Sequence, residues 1–358
     1  KNPKDLQHFE LFVKVESEEG SQIVKQKHQH YLQSTTKKAT KTKQPRIHAK
    51  KERTTTITTM SASNEEFVSI DIYPELMFEE DLTPDCGVEI DDVCEQIKTA
   101  VKGWGSDEGG LIDALGSTTP EDRLKIAIRY KDIYDKELKD VLKKETSGDF
   151  GQAMKYLSLD PVRAECAMIK DACKGIGSHA TLLHTILVGR SNRDMELLKK
   201  TYYKYYTKDL TGIISSELGG DNWKLASAGL QAAEEPFDPD YHTEEKAEED
   251  AEEIWKNGQG KFFGTDETKL FKTVVLSPPK YLRMINEIYA DKYGYTLTKA
   301  MEEELGGNAR RGAVFAIKMR LKPYEAIAEM VKASCAGIGT DELLLTCCVI
   351  RYQDMMGH

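Results

Sequence analysis

A glycine-flanked motif returns along this chain, and its recurrence constrains the fold more than any composition does. Gly-x-Gly-[Ser/Thr] stands at Gly103-Trp104-Gly105-Ser106, at Gly175-Ile176-Gly177-Ser178 and at Gly337-Ile338-Gly339-Thr340. A variant, Phe263-Gly264-Thr265-Asp266-Glu267, fills the gap between the second and the last. The second glycines lie at 105, 177, 264 and 339, so the spacings are 72, 87 and 75 residues. A period of that kind marks a supersecondary unit that is copied and stacked. A second signal is locked to the first. Forty residues after the first three of these glycines come Glu145, Glu217 and Glu304, and three residues after each acid comes Gly148, Gly220 or Gly307. With 60 acids and 26 glycines among 358 residues, three such coincidences have a chance on the order of 10⁻⁶ before the choice of offset is counted. The same count in the fourth unit runs past His358, which leaves the packing of that unit open.

From about Glu89 the apolar spacing is helical. Ala164, Ala167, Met168 and Ala172 fall on one helix face, as do Leu124, Ala127 and Ile128. Ahead of the second set, Thr119 is placed to cap, Pro120 suits a first helical position, and Glu121 and Asp122 complement the helix N-terminus. The run from Leu343 to Ile350 suits a buried helix, with Cys347 and Cys348 as core residues. His179 and His184 read as isolated surface or satisfied core residues, because no partner lies at a useful spacing. The fold class expected is all-α.

Charge divides the chain. Residues 1–59 carry 13 Lys/Arg and 6 Asp/Glu, so a net −10 overall leaves −17 on the rest. The Lys- and Thr-rich stretch 34–59 has almost no large apolar residue to offset the entropy of ordering it, so it is expected to be disordered. Residues 1–85 form an N-terminal extension in this reading, with Met60 a candidate start. The units are then 86–160, 161–232, 247–321 and a truncated 322–358, with an acidic linker at 233–253 that merges into the third unit's first helix. A net acidic body is a poor default binder of nucleic acid. No run of 18 apolar residues exists to span a bilayer. Seven cysteines without a CxxC pair argue against a disulfide framework and for a reducing compartment, so a cytoplasmic location is expected. No phosphate-binding Gly-x-x-x-x-Gly-Lys-[Ser/Thr] loop and no defensible Ser/His/Asp or Cys/His set is present, so no enzymatic activity is expected.

A Gly-x-Gly turn between helices lets the backbone take positive φ and aim carbonyl oxygens at one point, where helix C-terminal polarity favours a cation. A returning glutamate adds a bidentate carboxylate. Oxygen donors without His or Cys suit a hard cation, and the irregular geometry fits calcium better than magnesium. One formal carboxylate per site predicts weak binding, on the order of 10⁻⁴ M without a partner, and leaves positions open for a phosphate oxygen. Calcium held between loop and lipid phosphate would reverse the local sign of an acidic body at an anionic bilayer. The apolar tips Trp104, Ile176, Phe263 and Ile338 are then expected either to enter the headgroup layer or to fold back on their own helices.

These loops resemble the type II calcium loops of the annexin family. The likeness is carried by Val101-Lys102-Gly103-Trp104-Gly105-Ser106-Asp107-Glu108 and Gly337-Ile338-Gly339-Thr340-Asp341-Glu342, and Lys144-Glu145-Thr146-Ser147-Gly148 and Ser216-Glu217-Leu218-Gly219-Gly220 resemble the family's distal acid segment. The resemblance covers about residues 86–358 and implies repeats of five helices in a curved disc that binds acidic phospholipid on its convex face when calcium is raised. It implies, as ligands, the carbonyls of Val101, Gly103 and Gly105 with Glu145, and those of Cys173, Gly175 and Gly177 with Glu217. For the longer third loop it implies Gln259 or Gly260, Phe262 and Gly264 with Glu304, and for the fourth Cys335, Gly337 and Gly339 without an acid. The second loop reads Ser178-His179-Ala180 where the others carry Asp-Glu, so its site ranks below the first. Membrane organisation or trafficking is the expected role. A cytoskeletal scaffold, or another protein partner taken through the N-terminus, is the alternative.

Overall fold

The computed structural model describes residues 71–73, 88–103, 105–175, 177–259, 267–337 and 339–355. Among these, seventeen α-helices and one 3-10 turn form the whole of the regular structure, with no strand. The first five are α1 (Val88–Ala100), α2 (Glu108–Leu115), α3 (Pro120–Tyr134), α4 (Leu138–Glu145) and α5 (Gly148–Leu157). The order repeats in α6 (Pro161–Ala172), α7 (Ala180–Leu187), α8 (Asn192–Tyr206), α9 (Leu210–Glu217) and α10 (Gly220–Leu230). It repeats again in α11 (Glu244–Gln259), α12 (Glu267–Leu276), α13 (Pro279–Tyr293), α14 (Leu297–Glu304) and α15 (Gly307–Leu321). Two helices, α16 (Pro323–Ser334) and α17 (Glu342–Arg351), start a fourth round. The acidic stretch assigned to a linker is helical from Glu244 onward, because its Ala247, Ala251 and Ile254 give it a buried face.

Each unit stops and starts at the same places for local reasons. Thr119 accepts the Asp122 N–H at 3.1 Å and Asp160 accepts that of Arg163 at 2.9 Å, with Pro120 and Pro161 next in line. The third helix of each unit ends on a left-handed residue, Asp135 (φ 52°), Thr207 (φ 52°) or Gly294 (φ 82°). The glycine three residues past each signature glutamate is left-handed too: Gly148 at 62°, Gly220 at 56° and Gly307 at 56°. In α3 the buried face is turned from the expected one. Arg123, Leu124, Ile126 and Tyr130 are buried, whereas Ala127 and Ile128 are only half covered. The turn follows from Arg123, whose guanidinium is drawn inward by carbonyls.

That arginine is one of three that cap the second helices of the units. Arg123 donates to the carbonyls of Leu115 (3.1 Å) and Thr118 at the end of α2. Arg351 donates to Thr185 (2.8 Å) and Ile186 (3.2 Å) at the end of α7, and Arg320 to Ser277 (2.8 Å) and Val275 at the end of α12. All three are buried, and each satisfies carbonyls that a helix terminus leaves unpaired while placing positive charge at its negative pole. Two of these arginines also tie distant units together. Arg351 reaches Glu165 of α6 at 2.5 Å, and Arg123 donates to Gln353 beyond α17. The α17 helix packs on α5 and α6, so the last unit closes onto the first and second.

Part of the expected extension is seated on this body. Tyr73 is fully buried, its hydroxyl bonded to Glu165, and the N–H groups of Ile72 and Tyr73 donate to Asp194 of α8 at 2.5 and 3.1 Å. In α1 and α6 the buried thiols of Cys94 and Cys166 face carbonyls of the unit's third helix, Ile126 and Leu198. The equivalent position in α16 is Ala328, which is exposed, and Tyr324 on the same face is 49% exposed.

Candidate cation-binding loops

Three interhelical loops share one backbone solution. Gly103 and Gly105 have φ of 121° and 87°, Gly175 and Gly177 of 103° and 87°, and Gly337 and Gly339 of 102° and 98°. These are values that a residue with a Cβ rarely adopts, which is why glycine stands at both places. Two residues after each second glycine a side chain caps the next helix. Asp107 accepts the Gly110 N–H at 3.0 Å, His179 Nδ1 that of Leu182 at 3.2 Å, and Asp341 that of Leu344 at 3.2 Å. The N–H of the same residue folds the loop back onto the preceding helix, donating to Ala100 (2.7 Å), Ala172 (2.8 Å) or Ser334 (2.8 Å). Among the described residues, no backbone N–H donates to the carbonyls of Val101, Gly103 or Gly105, nor to their counterparts Cys173, Gly175, Gly177, Cys335, Gly337 and Gly339. These nine oxygens are the acceptors a hard cation would need.

The first two glutamates close on their loops. Glu145, Glu217 and Glu304 are the last residues of α4, α9 and α14. Val101 and Glu145 line one cleft beside the first loop. Ser178 of the second loop donates to the Glu217 carbonyl at 3.0 Å. Burial, with the charge of Glu217 added, pushes the Cys173 thiol up to about 12. A buried tyrosine stands at the same position of each unit and registers the nearby acid. Tyr130 and Tyr202 are pushed up to about 12, chiefly by burial, with Glu145 and Glu217 among the contributing charges, and Tyr289 is raised by burial with Glu304 contributing. Glu304 itself is pushed up to about 6 by burial and by the charge of Glu303. A carboxylate so destabilised is one that a bound cation would relieve. Among the described residues no three His, Cys, Asp or Glu side chains cluster as a metal site, so the donors that fit are main-chain oxygens with one carboxylate.

Of the residues expected in the sites, Gln259 ends α11, while Gly260, Phe262 and Gly264 lie outside the described residues, as do the loop tips Trp104, Ile176, Phe263 and Ile338. His179 is not isolated. Its Nε2 lies 3.0 and 2.9 Å from the two carboxylate oxygens of Asp341, joining the second loop to the fourth. With Nδ1 accepting from Leu182, the ring proton sits on Nε2 and is donated to Asp341. His184 is a core residue, its Nε2 3.0 Å from the Asn222 carbonyl, and burial holds its pKa below the usual value.

The annexin family model matches residues 92–157, 164–228 and 249–315, more than half of the chain. The chain belongs to the annexin family. Mouse annexin A13 is similar at 28% identity over 256 residues, covering 72% of this chain and 80% of that protein. The solved structure of annexin III superposes with a TM-score of 0.67 at 27% identity, over 81% of this chain and 86% of that one. Calcium-bound annexin (Sm)1 superposes with a TM-score of 0.60 at 25% identity, over 80% and 86%. The all-helical architecture of five-helix repeats in a curved disc is thus that of annexins. Family and fold support calcium-dependent phospholipid binding in general terms. No helix among the described residues is long and apolar enough to cross a membrane.

Proposed function

We propose that this annexin attaches peripherally to acidic phospholipid membranes through calcium ions held in its first, second and third loops, and so serves membrane organisation or trafficking without catalysis. The first site would take the carbonyls of Val101, Gly103 and Gly105 with Glu145, and the second those of Cys173, Gly175 and Gly177 with Glu217. The third would use Gln259 or Gly260, Phe262 and Gly264 with Glu304, and the fourth loop offers Cys335, Gly337 and Gly339. The cation supplies positive charge between lipid phosphate and loop carbonyls on a body that is net acidic. The reading is supported above all by nine main-chain oxygens, in the first, second and fourth loops, that share one geometry and accept from no described N–H. The apolar tips at 104, 176, 263 and 338 are assigned to the headgroup layer from their place in the sequence. Cytoplasmic residence with calcium-driven relocation follows from the same reading.

The test is sedimentation with phosphatidylserine vesicles. Pelleting with calcium, release by chelator, and a large loss on Glu145→Gln combined with Glu304→Gln are the outcomes expected. Pelleting that ignores calcium refutes the reading. Co-sedimentation with filaments in the absence of lipid would favour a scaffold that uses the N-terminal segment.

A further inference from the structure

Two seams between successive units are counterparts. Helices α5 and α6 join the first unit to the second, and α15 and α16 join the third to the fourth. They are filled differently. At the first seam Asp171 of α6 accepts from Gln152 at 2.5 Å, from Lys155 at 2.7 Å and from the Tyr156 hydroxyl at 2.9 Å, a network that bridges the two helices. Counted from the glycines that open the helices, Gly148 and Gly307, these three α5 residues become Arg311, Val314 and Phe315. Counted from Pro161 and Pro323, Asp171 becomes Ala333. With alanine in place of the acceptor, none of the three bonds can form.

A cleft of about 630 Å³ opens there instead, a size typical of small-ligand sites, and all four replaced positions line it. Its floor is apolar, with Phe315, Met330 and Leu344. Most of the charge along it is committed. Lys318 is held by Glu329 at 2.6 Å, and Asp341 accepts from His179 at 2.9 Å and from the Leu344 N–H at 3.2 Å. Arg311 differs. It is exposed and pairs with no carboxylate among the described residues. Gln152, its counterpart, reaches across to Asp171, so Arg311 is a donor at a place where the acceptor has been lost.

We infer that this cleft binds a small molecule with an apolar body and one carboxylate, the body lying on Phe315, Met330 and Leu344 and the carboxylate on Arg311. The acid of the ligand takes the role that Asp171 plays in the other seam. A guanidinium fork matches a carboxylate through two parallel hydrogen bonds, which a lysine cannot do. The apolar floor supplies contact area, and the arginine selects for the anion. Neither a bound cation nor a bilayer takes part, so the inference goes beyond the function proposed above and stands apart from it.

The probe is octanoate, titrated calorimetrically into the full chain in excess chelator, with octanol as the uncharged match. Octanoate is expected to bind at one site per chain, about tenfold or more tighter than octanol. Arg311→Gln is expected to bring octanoate down to the level of octanol. Arg310→Gln, one residue away and outside the cleft, is expected to change it less than about threefold. Ala333→Asp returns the carboxylate of the other seam and is expected to exclude octanoate while sparing octanol, whereas Ala333→Phe fills the cleft and excludes both. Position 333 is exposed, so these changes leave the core intact, and unchanged urea midpoints show it. No saturable octanoate binding overturns the inference. So do equal affinities for octanoate and octanol, or equal losses in Arg310→Gln and Arg311→Gln. Calcium-dependent pelleting on phosphatidylserine vesicles is read in parallel and is expected to survive in Arg311→Gln. Its failure in the parent protein counts against the membrane reading alone.

Discussion

Replacing Glu165 by leucine would leave two guanidinium groups buried without their counter-charge. Glu165 is 2% exposed and meets Arg351 at 2.5 Å and Arg190 at 2.9 Å, and the Tyr73 hydroxyl donates to it. The Arg190 contact is Coulombic only, since no nitrogen of that guanidinium has an aligned hydrogen-bond acceptor. Breaking a buried pair by removing one partner costs about 3–5 kcal/mol, because the orphaned charge stays desolvated. For a chain of this size that is a drop in Tm of roughly 4–8 °C. Urea unfolding of the calcium-free protein, followed by circular dichroism, measures it. Adding Arg351→Met to Glu165→Leu is expected to recover part of the loss, since it removes one of the stranded cations. The pH dependence has a definite sign. Burial alone would raise the Glu165 carboxyl, but Arg190 and Arg351 outweigh it and hold the pKa below the usual value. A depressed carboxyl contributes stability above its unfolded pKa, near ~4.3, and loses it as pH falls through the folded value. The gap between the parent and Glu165→Leu is therefore expected to be constant from about pH 5.5 to 8 and to shrink below about pH 4. A loss under about 1 kcal/mol at neutral pH, or no recovery in the double variant, would refute the reasoning.

Other outcomes follow from single sites. A Cβ on Gly229 of α10 would stand 2.2 Å from the Leu187 carbonyl oxygen, so Gly229→Ala is expected to cost ~3 kcal/mol in urea unfolding by forcing α10 off α7. Glu304, raised to about 6, burdens the calcium-free fold above that pH and is relieved as pH falls toward its unfolded value. Glu304→Gln is thus expected to raise the unfolding free energy from urea titration at pH 7.5 by less than ~2 kcal/mol after solvent screening, and to leave it unchanged near pH 4. His179→Ala removes the cap on α7 and the contact to Asp341, at a cost of ~1 kcal/mol, while Asp341 still caps α17. An unchanged thermal midpoint in His179→Ala would show that the contact between the two loops carries no stability.

Local chemistry was readable before the structure, and long-range chemistry was not. The Gly-x-Gly loops, the glutamates forty residues on and the glycines behind them could be found because positive φ admits few residues, so the backbone writes itself into the sequence. Thr119 and Pro120 were readable for the same reason. The face of α3 was misjudged because an arginine scores as exposed, and nothing near Arg123 in sequence announces that the end of α2 needs a donor. His179 looked solitary because Asp341 is 162 residues away, although its departure from the Asp of the other loops was a visible clue. The seating of Tyr73 depends on partners at 165 and 194 that no periodicity connects to it.

The contacts of Arg123 with Gln353 and of Arg351 with Glu165 change how such a chain comes apart. A linear stack frays from its free ends, one unit at a time. Here the terminal helix is clasped to the beginning of the array, so no unit is last in line. A protease that nicks a single connecting loop, such as the segment 233–243, would leave two fragments still gripping each other at both seams, and the nicked molecule would melt as one piece.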